Sequence, residues 1–245
     1  MIYSAHISSL APIIIGIQKP VPGYTVGYVA IIQKFSLEVP FPIVLTMVAE
    51  KNQNLENEVW RVLPISYLPE DNSKLTLIYS LYNHLVFALK YEGIDLAVLN
   101  ALFPMAEAAD IESMVRSEPT GIYSRKIWFL WEWLRDDQLD LEDATTGNFV
   151  PLINSKLQFE GKPVSSKRHR IRNNLPGTRN FCPLIRKTKK LERFLDKKLS
   201  EAAGQNIGQT HPDLLSRAAA FLLLKDSKAS FTIEGETPPH SRIER

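Results

Sequence analysis

The sequence predicts a mainly α-helical, bundle-like protein with a few short β-strands near the N-terminus and around residues 150–165. Apolar residues recur every three or four positions through residues 72–134, which is the period of an amphipathic helix. Gly and Pro bracket these periodic segments. Of the 245 residues, 44% are hydrophobic and 23% are charged, which is typical of a globular protein.

The first 70 residues predict short elements separated by prolines. Residues 24–35 are apolar and fit either a helix or a buried strand, because periodicity does not decide between the two. Pro40 and Pro42 stand where the opening of a helix tolerates proline, so we expect a helix through residues 43–48. Residues 60–63 are typical of a short strand.

Four helices are expected between residues 72 and 134. Each helix is bounded by a capping residue, a glycine or a proline. The first runs from Asn72 or Ser73 to Gly93 and the second from Leu96 to Pro104. The third covers residues 105–117 and the fourth residues 123–134. The fourth carries four aromatic residues at helical spacing: Trp128, Phe129, Trp131 and Trp133. Such a cluster favours a place in the core, and the alternative is a subunit interface that would make the protein a homodimer.

The charge is divided unevenly along the chain. Residues 1–160 contain 11 Lys and Arg against 19 Asp and Glu, whereas residues 161–245 contain 18 against 8. The acidic stretch over residues 135–155 lacks the spacing of a calcium loop and is typical of a solvated linker. We therefore expect an N-terminal recognition or regulatory domain over 1–140, an acidic linker over 141–160 and a basic helical segment over 161–245.

The basic segment predicts two further helices. One begins near Thr188 and is expected to bury apolar residues along one face: Leu191, Phe194, Leu195 and Leu199. The next begins at a capping pattern formed by Thr210 and Asp213, with Pro212 in its first turn.

The basic segment has two interpretations. It can complement the acidic part of the same chain, or it can contact phosphates of a nucleic acid. The candidate phosphate contacts are Arg168, Arg170, Arg172, Lys189 and Lys190. Nucleic acid is the less favoured partner, because the segment has no recognisable reading helix and the aromatic residues lie elsewhere.

Several classes of site are excluded by residue type and spacing. A single cysteine, Cys182, excludes an intramolecular disulfide and a cysteine-based zinc cluster. The five histidines lack metal-ligand spacing, and neither common glycine-rich nucleotide loop occurs. The apolar run over residues 10–17 is shorter than a bilayer-spanning helix, so we expect no membrane association and a cytoplasmic location.

Residues 229–236 contain the pattern Ser-x-x-x-Glu-Gly, formed by Ser230, Glu234 and Gly235. This pattern resembles the inhibitory motif of Fic proteins, which transfer AMP from ATP to hydroxyl side chains of target proteins. Two further stretches resemble the regions that precede the inhibitory helix in large bacterial Fic proteins. The first is residues 123–134, and the second runs from Arg172 through Leu184. The resemblance covers roughly residues 75–245.

The resemblance implies an inhibitory helix over residues 228–236. In the family, the glutamate of this motif pairs with an arginine that otherwise holds the γ-phosphate of ATP. Glu234 would have that role here, and Ser230, four residues earlier on the same helix face, would orient it. ATP and Mg²⁺ are implied for the full-length protein, whereas no cofactor or metal is expected in this chain.

The Fic active motif, His-Pro-Phe-x-Asp/Glu-Gly-Asn-Gly-Arg, does not occur in the sequence. The one His-Pro pair, His211 and Pro212, is followed by Asp213. We therefore expect the N-terminal part of a larger Fic adenylyltransferase that has no catalysis alone and whose catalytic core follows in cis. An antitoxin-like inhibitor that acts in trans is the alternative, and the target protein stays open.

Overall fold

The computed structural model describes residues 13–14, 17–18, 20–49, 55–56, 59–67, 77–197, 201, 204–205, 211–233 and 235. The chain forms two compact units, residues 1–187 and residues 188–245. The described residues are mainly helical, and short strands supply the rest of the regular structure.

Six strands lie among the described residues of the first 63. They are β1 (Ile13–Ile14), β2 (Ile17–Gln18), β3 (Gly23–Thr25), β4 (Leu45–Ala49), β5 (Leu55–Glu56) and β6 (Trp60–Leu63). Strands β1 and β2 pair with each other, and the other four form one sheet in the order β3-β4-β6-β5. The central pair, β4 and β6, is parallel, while both outer pairs are antiparallel. Strand β6 confirms the strand predicted over residues 60–63.

The helix predicted over residues 43–48 is wrong, because these residues enter strand β4. All five residues of β4 are buried. A strand that is covered on both faces is a continuous apolar run, and such a run has no period that distinguishes it from a helix. Residues 24–35, which fitted either element, contain both: β3 ends at Thr25 and helix α1 spans Gly27–Phe35.

Four helices follow, as the sequence predicted. They are α2 (Leu77–Phe87), α3 (Leu96–Leu102), α4 (Ala108–Ser117) and α5 (Ile122–Arg135). A π-helical turn over Ala88–Glu92 extends α2, and Gly93, with a φ of 91°, ends it. Asp95 caps α3 by accepting hydrogen bonds from the amides of Ala97 and Val98. The predicted start at Asn72 or Ser73 lies outside the described residues.

A three-stranded sheet follows α5. Its strands are β7 (Val150–Pro151), β8 (Val164–Ser166) and β9 (Ile171–Asn173), in the order β7-β9-β8. Strand β9 is parallel to β7 and antiparallel to β8. Strands β7 and β8 lie where the sequence predicted strands around residues 150–165, and β9 was not predicted.

The main core of the first unit joins α1–α5 to the segment that follows them. Trp128, Phe129 and Trp131 of α5 are buried in it, so the aromatic residues of this helix belong to the core of their own chain. Leu152 and Ile153 belong to the same core. The structure therefore divides the chain after residue 187, whereas the sequence suggested a linker over 141–160.

The second unit contains α6 (Lys189–Asp196) and α7 (Pro212–Ile233). The Thr188 hydroxyl accepts from the Leu191 amide at 3.2 Å and caps α6, as predicted. The predicted burial of its apolar face is wrong, because Phe194 and Leu195 are 48% and 56% exposed and Leu191 is only half-buried. Periodicity identifies an amphipathic helix without showing what covers its face. Leu199 lies outside the described residues.

Within the described part of the chain, every helix is too short or too polar to cross a membrane.

Candidate functional sites

Two of the three residues of the predicted inhibitory motif are described, Ser230 within α7 and Gly235 just beyond its end. Ser230 is exposed on the last turn of this helix, which ends at Ile233. Gly235 has a φ of 72°, and its amide donates to the Thr232 carbonyl oxygen at 3.2 Å. This left-handed backbone favours glycine and is typical of a helix C-terminus. Glu234 lies outside the described residues.

Arg168, a candidate phosphate contact, binds carboxylates of its own chain. Its Nη2 lies 2.8 Å from Glu132 Oε1, and its Nε lies 3.1 Å from Glu132 Oε2. Its Nη1 lies 2.9 Å from Asp143 Oδ1. Further donors reach the carbonyl oxygens of Leu139 and Leu141. The guanidinium of Arg168 is thus engaged within the fold.

Arg170, a second candidate, binds the backbone of the segment after α5. Its guanidinium donates to the carbonyl oxygens of Ala144, Thr145 and Gly147 at 3.0, 2.6 and 2.9 Å. Arg125 of α5 reaches the neighbouring carbonyl of Asn148 at 2.9 Å. Since a guanidinium presents five donors in a fixed fork, these arginines can satisfy a loop that has no strand partner.

The other three candidate phosphate contacts are exposed. Arg172 lies on β9 in the first unit, and Lys189 and Lys190 open α6 in the second. The positive residues that the sequence grouped together therefore divide into two part-buried arginines that bind their own chain and three exposed side chains.

Glu132 is the centre of the polar network around Arg168. Besides Arg168, it accepts from Trp128 Nε1 at 2.7 Å and from the Leu139 amide at 3.1 Å. Burial alone would raise the pKa of Glu132, but hydrogen bonds from His169, Arg168, Trp128 and the Leu139 amide lower it to about 2. The carboxylate is therefore ionised over the physiological range.

His169 connects this carboxylate to the β8–β9 turn. Its Nε2 lies 2.9 Å from Glu132 Oε2, and its Nδ1 lies 2.7 Å from the Ser166 hydroxyl. Because a carboxylate oxygen only accepts, Nε2 is the donor of the bond to Glu132. Ser, His and Glu are also the groups of a nucleophilic relay, but here the charge of Glu132 is already matched by Arg168. We interpret the arrangement as a structural connection.

The sequence patterns did not single out Glu132, and they indicated for the histidines, His169 among them, only that metal-ligand spacing is missing. The available signal was a lone acid between Trp131 and Trp133, one helical turn after Trp128. An acid in the middle of an aromatic helix face needs a partner when that face is buried. The sequence alone does not identify the partner.

The described residues contain no group of three or more His, Cys, Asp and Glu side chains that could hold a metal ion. Comparisons of the chain with protein-family models, with curated proteins and with solved structures found no match.

Proposed function

We propose that this chain is the regulatory N-terminal part of a Fic protein adenylyltransferase and that Glu234 is its inhibitory carboxylate. The observation that carries the proposal is the helix end at the motif. Helix α7 runs to Ile233 with Ser230 on its last turn, and Gly235 has the left-handed backbone of a helix terminus. Ser230, the first residue of the Ser-x-x-x-Glu-Gly pattern, therefore lies on a helix, which supports the proposal.

The proposed inhibition is an exchange of partners at one arginine of the catalytic core. The planar guanidinium binds a carboxylate or a phosphate through the same two donors, so Glu234 and the γ-phosphate of ATP compete for it. With the carboxylate bound, the α-phosphate of ATP is misplaced for in-line attack, and phosphoryl transfer depends on this positioning. ATP and Mg²⁺ would be held by that core.

The increase in activation free energy that this inhibition requires is modest. A hundredfold slowing corresponds to about 2.7 kcal/mol in the barrier. An exposed ion pair contributes about 0–1 kcal/mol, which is too little, whereas a desolvated pair can supply the difference. We therefore propose that the arginine and Glu234 meet in a site that excludes water.

The exposed apolar residues of α7 support a further domain as the partner of this helix. Phe221, Leu222 and Leu223 are 66%, 56% and 69% exposed. A helix with large apolar side chains in solvent is typical of a surface that another element covers. The catalytic core in cis is the proposed cover.

The test uses the protein encoded by the complete reading frame that contains this sequence. Transfer of labelled AMP from ATP onto the protein itself is measured for the unmodified protein and for Glu234→Gly. We expect about a hundredfold increase in the variant, equivalent to the 2.7 kcal/mol above. Glu236→Gly is the matched control, since it removes a carboxylate two residues away, and it leaves the rate unchanged.

Equal increases for both glutamate variants would contradict a specific inhibitory role for Glu234. A reading frame without the His-Pro-Phe motif would contradict the cis arrangement. In that case the purified 245-residue chain is added to a separately made Fic core, and the trans alternative requires that it slows AMP transfer. A reading frame without the motif and a chain without effect in trans would together overturn the proposal.

A further inference from the structure

A half-open pocket of about 290 Å³ lies within the first unit, between α1, α3 and residues 182–186. Much of its wall is apolar and is formed by Pro42, Ile43, Leu96, Ala97 and Leu184. Ile43 is 86% exposed, so it lies at the open side. A concave, mostly apolar surface with a few polar groups is the usual form of a small-molecule site. The polar groups of the wall therefore determine which ligand the pocket can bind.

Several polar groups of this wall are engaged with the backbone. The Tyr28 hydroxyl donates to the Gly93 carbonyl at 2.9 Å and accepts from the Asp95 amide at 3.1 Å. The Gln158 side-chain amide pairs with both backbone groups of Ile94. Asp95 uses Oδ1 to cap α3. These hydrogen bonds fix the shape of the wall.

Glu92, another residue of the wall, also has partners within the chain. Its Oε2 accepts from the Tyr28 amide at 2.9 Å, and its carboxyl bonds to the Thr46 hydroxyl. Gly27 makes room for this group, because a Cβ atom there would overlap Glu92 Oε2. Burial raises the pKa of Glu92 to about 7, so the carboxyl is mainly protonated at pH 6. Glu92 is thus a structural group of the wall.

The Arg186 guanidinium is half-buried without a hydrogen bond or ion pair to any described residue. The charges that act on it are those of Arg61, Glu92 and Glu56. Burial, and next the charge of Arg61, lower its pKa. Asp95, the other acid of the wall, is not among the groups that act on it. A guanidinium that is partly removed from water gains from an acceptor, and the described chain provides none.

The chemistry of Arg186 and of the apolar wall selects the class of ligand. A carboxylate matches a guanidinium, because its two oxygens accept two parallel hydrogen bonds from the planar fork. Among the described residues that line the pocket, Arg186 is the one cation, so a doubly charged phosphate is less well matched. The apolar side chains favour a hydrocarbon chain beside the carboxylate.

We propose that this pocket binds an aliphatic carboxylate, either a free short-chain acid or the C-terminal carboxylate of a peptide that ends in an apolar residue. The carboxylate binds the Arg186 guanidinium, and the hydrocarbon chain packs against Ile43, Leu96 and Leu184. The volume suits such a group, since pockets for drug-sized molecules begin at about 300 Å³. This inference does not depend on the proposed Fic function.

The test measures binding of 4-methylpentanoic acid to the 245-residue chain by ligand-detected NMR at pH 6, where Glu92 is mainly neutral. Two analogues each remove one feature: 4-methylpentanamide lacks the charge, and acetate lacks most of the hydrocarbon chain. We expect each to bind at least about tenfold more weakly, which corresponds to one charged hydrogen bond or to two buried methylene groups. These comparisons use the unmodified protein, so they hold even where a variant fails to fold.

The two sources of the carboxylate are compared in the same measurement. The peptide N-acetyl-Gly-Gly-Leu has the same apolar chain and carboxylate at its C-terminus. Tighter binding of the peptide than of the free acid assigns the pocket to C-termini, and weaker binding assigns it to free acids.

Variants then assign the contacts. Arg186→Met is expected to weaken binding of 4-methylpentanoic acid about tenfold, and Ile43→Ser about threefold, because part of the apolar contact is lost. Arg172→Met and Ile122→Ser are matched controls at exposed positions outside the pocket, and they leave the affinity unchanged. Absence of binding of the acid and of the peptide at about 10 mM, equal binding of the acid and its amide, or equal effects of the control variants would overturn the proposal.

Discussion

Glu132 Oε2 and His169 Nε2 lie 2.9 Å apart although 37 residues separate them in sequence. The contact joins helix α5 to the turn between β8 and β9, and His169 is itself packed edge-on against Trp128 and Phe129. Arg168 binds the same carboxylate. Glu132 thus links the turn of the small sheet to the helical core, beside the apolar contacts of Ile171 in the same core.

Removing this acid is expected to destabilise the first unit strongly. Glu132→Gln takes away the charge that Arg168 faces, and breaking a buried pair costs about 3–5 kcal/mol. Asp143→Asn removes the other carboxylate of Arg168, which is 67% exposed, and costs at most about 1 kcal/mol. Urea unfolding of both variants measures the difference, and similar losses would contradict the central role of Glu132.

The same acid predicts sensitivity to low pH. The pKa of Glu132 in the folded chain is lowered to about 2 from an ordinary value of 4.5, so its stabilisation is complete above the ordinary value. As pH falls from about 4.5 to 2, the unfolded chain takes up the proton first and about 3 kcal/mol is lost. We expect the stability gap between the unmodified protein and Glu132→Gln to shrink over this range, measured by urea unfolding at successive pH values. A stability gap that stays constant over this pH range would contradict the proposed ionisation of Glu132.

For Glu92 we expect the pH dependence of stability to have the opposite sign. Burial raises its pKa to about 7, so the folded chain keeps the proton longer than the unfolded chain does. Stability attributable to this group is full below about pH 4.5 and falls by about 3 kcal/mol as pH rises through 7. Glu92→Gln is therefore expected to be more stable than the unmodified protein at pH 8 and equal to it at pH 4. A variant that is less stable at pH 8 would contradict the desolvation argument.

Arg170 predicts a local effect. Arg170→Lys replaces a fork that reaches three carbonyl oxygens by a single ammonium group, so the segment at Ala144–Gly147 is expected to loosen. Amide hydrogen exchange at Ala144, whose amide donates to the Arg168 carbonyl, is expected to accelerate about tenfold, in line with one lost hydrogen bond. Arg172→Lys is the exposed control on β9 and leaves the exchange rate unchanged.

The middle of the fold was predictable because its signals are local. The periodic residues of α2–α5, the stop at Gly93 and the cap at Thr188 act within one or two helical turns. Strand β4 was not predictable in this way, since its fully buried residues have no period. What distinguishes β4 from a helix is its pairing with β3 and β6, which are distant in sequence.

The polar network could not be predicted from the sequence, because it too depends on contacts between residues that are distant along the chain. Arg168 and Arg170 resemble their neighbours in the basic run, and only the tertiary structure separates them from exposed Arg172. Glu92 gave no signal, because its environment depends on Gly27 and Arg186, which are far away along the chain. Charge counts thus identified a basic region without showing which charges face solvent.

Arg168 and Arg170 hold the segment after α5 by its backbone, and this determines how freely its amino-acid sequence can vary. The two arginines recognise main-chain oxygens of Leu139, Leu141, Ala144, Thr145 and Gly147, which every amino acid possesses. Glu142, Thr145 and Thr146 project into solvent. Their side chains can be exchanged for others without altering the path of the chain, so this loop can acquire new surface chemistry on an unchanged support.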